Sequence, residues 1–257
     1  MFGLGLRRKV SVLKNGYIDC SRGGFYEEDE FYKLAEAQAL STFLRRFDID
    51  CVLDVGANRG QYATALRKNA GYAGHIVSLE PIPIVFEELA RNAARDPLWH
   101  CENCALSDVA KQQDFHVMRG DQFSSFLAPT SEEFSLLEER NSISSTITVN
   151  AQTLAEVYEH WKKRIGFRRP FLKLDTQGYD HVILSSGGSS VSCFLGIQSE
   201  VAFKRLYVNA LSFSEMVSFM DRIGFGLSFI FPNNAGHFPN CIEQDAIFFN
   251  RSFQPIK

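Results

Sequence analysis

The sequence lacks several features that define common classes of protein. No window approaches the roughly 20 continuous apolar residues of a membrane-spanning helix. The basic residues Arg7, Arg8 and Lys9 are followed by no apolar core, so we expect no secretory signal. An excess of one charge is also absent, because 27 Lys and Arg stand against 30 Asp and Glu. This balance argues against general nucleic-acid binding. We therefore expect a cytoplasmic protein with no membrane span and no nucleic-acid partner.

Cysteine and histidine are few and scattered. The six Cys lie far apart in a chain of 257 residues, which is large enough to need no disulfides, so we expect reduced thiols. Cys101 and Cys104 form one Cys-x-x-Cys without a second pair, and no two His residues have the His-x-x-x-His spacing. The sequence therefore predicts no zinc site.

Apolar runs and amphipathic segments alternate along most of the chain. Three short apolar runs are typical of buried strands: Cys51–Val55, His75–Leu79 and Phe171–Leu174. In segments between them, apolar residues recur at the spacing of a helix. Two late strands, Phe225–Phe231 and Ala246–Asn250, predict a hairpin at the end of the fold. The pattern predicts an α/β protein in which layers of helices cover a sheet.

The predicted domain organisation is simple. We expect an N-terminal lead-in and helix over residues 1–48, followed by one large domain over residues 49–257. Between about residues 106 and 150 the alternation weakens and Ser, Glu and Thr become frequent. We interpret that segment as a loop-rich insertion.

The first informative segment is a strand followed by a glycine turn. Its apolar strand ends in Asp54, turns on Gly56 and Gly60, and continues into a helix. Glycine allows a tight turn and a close approach of a ligand to the backbone. Twenty residues after Gly60, the next strand ends in Glu80, a position from which a carboxylate accepts both hydroxyls of a ribose. The spacing predicts a nucleoside site.

Three ligands fit such a site in principle. A nicotinamide dinucleotide would need further glycines where Asn58 and Gln61 stand, and a phosphate loop would need a Gly-Lys-Ser/Thr sequence. S-adenosylmethionine has no phosphate and carries an ammonium and a sulfonium, so the acidic residue beside the turn suits it. An ordinary strand–helix turn without a ligand remains the alternative.

A second strand also ends in a carboxylate. The run Phe171–Leu174 is followed by Asp175, then by Gly178 and a helix. Ligands of open α/β sheets bind beyond the carboxyl ends of the strands, so Asp54, Glu80 and Asp175 are expected to meet in one crevice. Asp175 as the cap of the following helix is the alternative.

These segments resemble the FkbM-type methyltransferases, which depend on S-adenosylmethionine. The matching stretches are Leu53–Tyr62, Leu79–Pro81, Ala105–Asp108, Leu172–Tyr179, Ile197–Glu200, Leu206–Tyr207, Gly224–Phe225 and Gln244–Phe248. The resemblance covers about residues 45–250. It implies the Rossmann-like sheet of class I methyltransferases, with seven strands of which the last is antiparallel.

The resemblance also implies roles for individual positions. The residues expected at the methionine end of the cofactor are Asp54, Gly56, Asn58, Gly60 and Gln61. Glu80 would hold the ribose, Asn103 to Ala105 would pass beside the adenine, and Asp175 would stand near the transferable methyl group.

The proton on a hydroxyl acceptor limits the chemistry. Deprotonating a hydroxyl as weakly acidic as water with an ordinary Asp, before methyl transfer, would cost roughly 16 kcal/mol. Asp175 therefore has to take the proton in concert with the transfer, have its pKa raised by burial, or act with a divalent metal. The candidate oxygen ligands for Mg²⁺ are Asp175, Asp180, Glu200 and Asp245, although the sequence does not bring them together and we assign no metal site.

The catalytic candidates are Asp175, His181 and Glu200. His181 and His237 are alternative general bases because both lie near predicted turns. The resulting hypothesis is an O-methyltransferase that acts on a hydroxyl of a sugar, a polysaccharide precursor or a natural-product-like small molecule. A non-catalytic nucleoside-binding or scaffold protein and a nicotinamide oxidoreductase are the rival hypotheses.

Overall fold

The computed structural model of the protein describes residues 11–12, 18–19, 28–130, 142–232 and 241–255. Its strands are β1 (Ser11–Val12), β2 (Ile18–Asp19), β3 (Cys51–Val55), β4 (His75–Leu79), β5 (Trp99–Glu102), β6 (Ala105–Leu106), β7 (Lys111–Met118), β8 (Ile143–Gln152), β9 (Pro170–Leu174), β10 (Gly196–Ala202), β11 (Phe225–Pro232) and β12 (Glu243–Asn250). Its α-helices are α1 (Glu28–Arg46), α2 (Gln61–Lys68), α3 (Pro83–Ala93), α4 (Leu154–Ile165), α5 (Asp180–Ser186) and α6 (Phe213–Arg222).

Seven strands form the central sheet, in the order β11-β12-β10-β9-β3-β4-β5. The pairs from β10 to β5 are parallel, whereas β12 is antiparallel to both of its neighbours. The expectation of seven strands with the last one antiparallel is confirmed. The predicted terminal hairpin is β11 with β12.

The parallel strands end level with one another. Val55, the last residue of β3, pairs with Leu79 of β4 and with Leu174 of β9. Both β3 and β9 are buried along their whole length, as expected for parallel strands covered on both faces, and this explains their continuous apolar runs. The residues that follow them, Gly56 and Asp175, therefore emerge at the same edge of the sheet.

Helices cover both faces of the sheet. On one face, Phe43 of α1 and Leu66 of α2 pack with Phe171 in one core cluster. On the other, helices α4, α5 and α6 pack against Leu172 and its neighbours. Each fully buried side chain of this size stabilises the fold by about 1.5–3 kcal/mol. Residues of α1 belong to the same core as the sheet. The domain boundary expected at residue 48 stays a prediction.

The segment predicted as a loop-rich insertion contains a second sheet. Strands β6, β8 and β7 form it, with Lys111 opposite Ala151 at one end of the β7–β8 pair and Met118 opposite Ile143 at the other. The loop-rich interpretation was wrong for residues 111–114 and 143–150, because one face of this strand pair is exposed and its polar residues resemble those of a loop. Residues 131–141 lie outside the described part of the chain.

No helix within the described ranges has both the length and the apolarity needed to cross a membrane.

Candidate active site

Gly56 makes the turn that opens the site. Its φ of +74° is in the left-handed region, and a Cβ built on it would lie 2.0 Å from the backbone oxygen of Asp175. The amides of Gly56 and Ala57 both donate to the carbonyl of Leu79, at 3.1 and 3.0 Å. The turn thus fills the narrow space between the ends of β4 and β9, where only a residue without a side chain fits.

Two other residues of this turn, Gly60 and Asn58, have different roles. Gly60 precedes α2 with a φ of +86°, and a Cβ there would approach the ring of Trp99 to 2.5 Å. We therefore assign Gly60 to packing, since it lines neither cavity described below. Asn58 has a φ of +46° and lines the site, and its Oδ1 accepts a hydrogen bond from Nε2 of Gln61 at 3.2 Å.

Glu80 is held in place by the backbone on both sides. Its Oε2 accepts from the amide of Asn58 and its Oε1 from the amide of Ile82, both at 2.9 Å. The side chain of Asn103 donates to the carbonyls of Glu80 and Pro81, at 2.8 and 3.1 Å. Asn103 therefore steadies the turn that carries Glu80 rather than lining the cavity.

A first cavity opens beside Glu80. Its apolar wall consists of Ile82, Cys104, Ala105, Leu106, Phe115 and Phe126. Its polar lining residues are Asn58, Glu80, Gln122, Ser124, Asp175 and Thr176. An apolar slot with a carboxylate at its rim matches a flat purine attached to a ribose.

A second, larger cavity of about 550 Å³ adjoins the first. The residues that line both are Gly56, Asn58, Gln122 and Asp175. Gln61 and Glu200 line the second cavity but not the first. Asp175 thus stands where the two cavities meet.

Asp175 is half exposed and is held by two donors. Its Oδ2 accepts from Nζ of Lys173 at 3.2 Å, and its Oδ1 accepts from Nε2 of Gln177 at 3.0 Å. The alternative role as a helix cap is wrong, because α5 is preceded by Tyr179. At that turn it is Asp180 whose carboxylate accepts from the amide of Thr176.

Lys173 links Asp175 to Asp54. The fully buried Asp54 lies 3.6 Å from Nζ of Lys173 and accepts from the hydroxyl of Ser78 at 3.0 Å. Burial alone would lower the pKa of Lys173, but Asp175 and Asp54 together raise it above its usual value. Asp54 lines neither cavity, so the structure places it behind the site rather than at the methionine end expected from the sequence.

Gln177 bridges the two carboxylates at the cavity wall. It is buried with a φ of +55°, and its Nε2 donates both to Asp175 and to Oε2 of Glu200, each at 3.0 Å. Its Oε1 accepts from the hydroxyl of Tyr207 at 2.7 Å. The roles of Gln177 and Lys173 were not predicted from the sequence, although a Lys inside an apolar strand is a signal that a buried partner is present.

His181, the histidine candidate within the described residues, lines neither of the two cavities that Asp175 lines. His181 lines a small third cavity on the far side of Glu200, and burial lowers the pKa of its imidazole. His237 lies outside the described residues.

The four proposed magnesium ligands are not assembled as a metal site. Within the described ranges, no group of three or more His, Cys, Asp or Glu side chains is arranged to hold a metal ion. Asp180 is buried, and its two oxygens accept from Thr176 and from the hydroxyl of Ser199. Asp180 is therefore a structural residue of this turn.

Glu243 gives the protein an expected pH dependence of stability. Burial, and the nearby charges of Asp175 and Asp180, raise the pKa of Glu243 from 4.5 to about 8. Between these values the folded protein keeps a proton that the unfolded chain has released, so the free energy of unfolding falls as the pH rises from about 4.5 to about 8. The slope is at most about 1.4 kcal/mol per pH unit for this group. Urea unfolding at several pH values should show a smaller slope in Glu243→Gln, and an unchanged slope would contradict the assignment.

The seven-stranded sheet, parallel except at β12, has the architecture of the class I methyltransferases, and the two cavities lie at the edge where its parallel strands end. Residues 54–227 match the model of the methyltransferase FkbM domain. The match spans well over half of the chain, which therefore belongs to the FkbM methyltransferase family and is an S-adenosylmethionine-dependent methyltransferase. This assignment decides against the nicotinamide oxidoreductase.

Solved structures provide only distant likenesses. A methyltransferase FkbM from Methylobacillus flagellatus has 12% identity and a TM-score of 0.49, covering 79% of this chain and 44% of its own. The chain thus spans less than half the length of that protein. The magnesium protoporphyrin IX methyltransferase of Synechocystis, with bound S-adenosylmethionine, has 8% identity and a TM-score of 0.48, covering 90% of this chain and 88% of its own. No curated protein matches the sequence.

Proposed function

We propose that this enzyme transfers a methyl group from S-adenosylmethionine to a hydroxyl oxygen of a sugar, a polysaccharide precursor or a natural-product-like small molecule. The observation that carries the proposal is the position of Asp175 at the junction of the two cavities. A carboxylate at that place is within reach of a cofactor on one side and of an acceptor on the other.

The first cavity fits the adenosine part of the cofactor. Its apolar wall suits the adenine, and Glu80 is oriented by the amides of Asn58 and Ile82 towards a ribose. Gly56 lines both cavities, and the absence of a side chain lets the end of β3 lie directly against the backbone of Asp175. When bound, the cofactor supplies an electrophilic methyl group on its sulfonium.

Asp175 is our proposed general base. It accepts the proton of the acceptor hydroxyl in the same step in which the oxygen attacks the methyl group, because prior deprotonation is too costly. The second cavity holds the acceptor, and alignment of the reacting atoms there is worth about 7–11 kcal/mol. Lys173 and Gln177 fix the two oxygens of Asp175 and so orient its carboxylate. Glu200 is linked to Asp175 through Gln177, and we assign it to acceptor binding.

Glu80→Ala should weaken cofactor binding strongly. Hydrogen bonds to a charged group are worth about 1.5–3 kcal/mol each, so losing two from the ribose predicts a rise in the Kd for S-adenosylhomocysteine of at least a hundredfold. Isothermal titration calorimetry measures this directly. Glu88→Ala is the control, because Glu88 is an exposed residue that pairs with Arg59 and lines neither cavity. Unchanged affinity of Glu80→Ala would contradict the ribose role.

The transfer itself is tested with S-adenosylmethionine labelled in its methyl group. Incubation with a panel of sugars and small-molecule alcohols, followed by detection of label in the product, identifies the acceptor class. We expect the label on an oxygen. Methylation exclusively at carbon or nitrogen would contradict the proposed O-methyl transfer while leaving the cofactor assignment intact.

A further inference from the structure

The second cavity extends from Asp175 into the space between helices α1 and α2. The two helices and the residues just after α2 line it at Lys33, Glu36, Ala37, Leu40, Gln61, Tyr62, Ala65, Leu66, Asn69 and Ala70. Along each helix these positions recur every three or four residues, so they lie on one face of it. The cavity is therefore bounded on two sides by helix faces.

Both helices run down the sheet, away from the edge that carries Asp175. Helix α2 begins directly after the glycine turn at that edge. On α1, Glu36 accepts a hydrogen bond from Gln198, whereas Phe43 packs its ring edge-on against Phe171, near the start of β9. At 1.5 Å per residue, the lining positions extend for about 10 Å along α1 and about 12 Å along α2. The cavity thus follows the two helices for about two turns.

The walls are polar at the end near Asp175. There Gln198 of the sheet connects the two helices, because its Oε1 accepts from the hydroxyl of Tyr62 and its Nε2 donates to Oε1 of Glu36, both at 2.8 Å. Burial raises the pKa values of the carboxyl groups of Glu36, Glu200 and Asp245, which favours their uncharged forms. This end of the cavity therefore offers hydrogen bonds to an uncharged polar group such as a hydroxyl.

Further along the helices the cavity becomes apolar. The side chains there form an apolar recess made of Ala37, Leu40, Ala65, Leu66 and Ala70. Asn69 also lies at this end and is exposed to solvent. Leu40, Leu66 and Ala70 are at most 7% exposed although they line the cavity. The recess is thus shielded from bulk water, and such cavities bind apolar groups.

We propose that the acceptor is an amphipathic alcohol, with its hydroxyl beside Asp175 and an aliphatic chain in the apolar recess between α1 and α2. The Ala and Leu side chains of the recess offer such a chain contacts with apolar groups only. The cavity volume of about 550 Å³ is typical of a site for a whole organic ligand. This inference rests on the proposed function, since it assigns the second cavity to the acceptor.

The test uses the linear primary alcohols butanol, hexanol and octanol, which combine a hydroxyl with an aliphatic chain of increasing length. Each alcohol is titrated by calorimetry into the full-length protein, both loaded with S-adenosylhomocysteine and unloaded. Burial of one methylene group raises affinity about fourfold, so we expect hexanol to bind at least tenfold more tightly than butanol.

Ala65→Phe fills the recess with an aromatic ring, because Ala65 is half-buried and lines it. In this variant the gain from butanol to hexanol should fall below threefold, while the Kd for S-adenosylhomocysteine stays within twofold of wild type. Ala90→Phe is the matched control. Ala90 is also half-buried, lies on α3 and lines neither cavity, so its substitution should leave the full gain in place.

The outcomes separate this inference from the proposed function. Undetectable binding of octanol, or an affinity that does not rise with chain length, overturns the recess as an acceptor site. A rise that Ala65→Phe leaves unchanged does the same, since the chain then binds elsewhere. Failure of the wild type to bind S-adenosylhomocysteine overturns the proposed function instead, and the unloaded protein still reports the dependence on chain length. Should Ala65→Phe fail to fold, Ala37→Leu narrows the recess from α1 and takes its place.

Discussion

Asp175→Asn should reduce methyl transfer by about 10²–10⁴-fold while leaving cofactor binding within threefold of wild type. Asparagine has the shape of aspartate but does not accept the proton of the acceptor hydroxyl. We assign the binding of S-adenosylhomocysteine to the apolar wall of the first cavity and to Glu80. Asp175 also lines that cavity, but asparagine keeps its shape there. The rate is measured as label transferred from S-adenosylmethionine to the identified acceptor, and the affinity by calorimetry.

Asp114→Asn provides the matched control for this prediction. Asp114 is an exposed residue on β7 whose Oδ1 accepts from the hydroxyl of Thr148 at 3.4 Å, and it lines neither cavity. It should leave turnover unchanged. Should Asp175→Asn transfer methyl groups at nearly the wild-type rate, Asp175 is not the base, and Glu200 becomes the next carboxylate to substitute.

The pattern of the sequence predicted the buried strands well. The run Cys51–Val55 was placed at its observed limits, because a parallel strand covered on both faces is apolar throughout. The same reasoning predicted that Asp54, Glu80 and Asp175 meet in one crevice. Glu80 and Asp175, which follow strands that end level with each other, do line one cavity, whereas Asp54 does not. Chain order and periodicity were sufficient for these parts.

The second sheet and the support of Asp175 were harder to predict. In β7 and β8 polar residues face the solvent, so periodicity did not distinguish these strands from a loop. Gln177 acts through contacts with Glu200, which is 23 positions away, and Tyr207, which is 30 positions away. Such contacts depend on how elements far apart in the chain pack together, so the local pattern of apolar and polar residues does not predict them. Asp54 was misplaced for a related reason, because its position near a strand end does not reveal that Lys173 holds it behind the site.

Gly56→Ala should abolish cofactor binding and methyl transfer together. An L-residue with a positive φ costs about 1–3 kcal/mol by itself. At Gly56 the new Cβ would also lie 2.0 Å from the backbone oxygen of Asp175, and no side-chain rotation relieves a clash with backbone. The amide of Asp175 donates to the carbonyl of Val55 at 3.1 Å, so the ends of β3 and β9 would have to separate. We expect the Kd for S-adenosylhomocysteine to rise more than a hundredfold and the melting temperature to fall.

Gly71→Ala separates the two causes of this effect. Gly71 has a φ of +67°, close to the +74° of Gly56, but a Cβ there would meet nothing within 4 Å. It therefore has the same kind of backbone strain without the clash, and should retain both binding and activity with a small loss of stability. If Gly56→Ala behaves like Gly71→Ala, backbone strain alone explains the effect. A site that tolerates a Cβ on Gly56 does not depend on the narrow gap between the ends of β3 and β9. That result would contradict our assignment of the binding defect to the clash with Asp175.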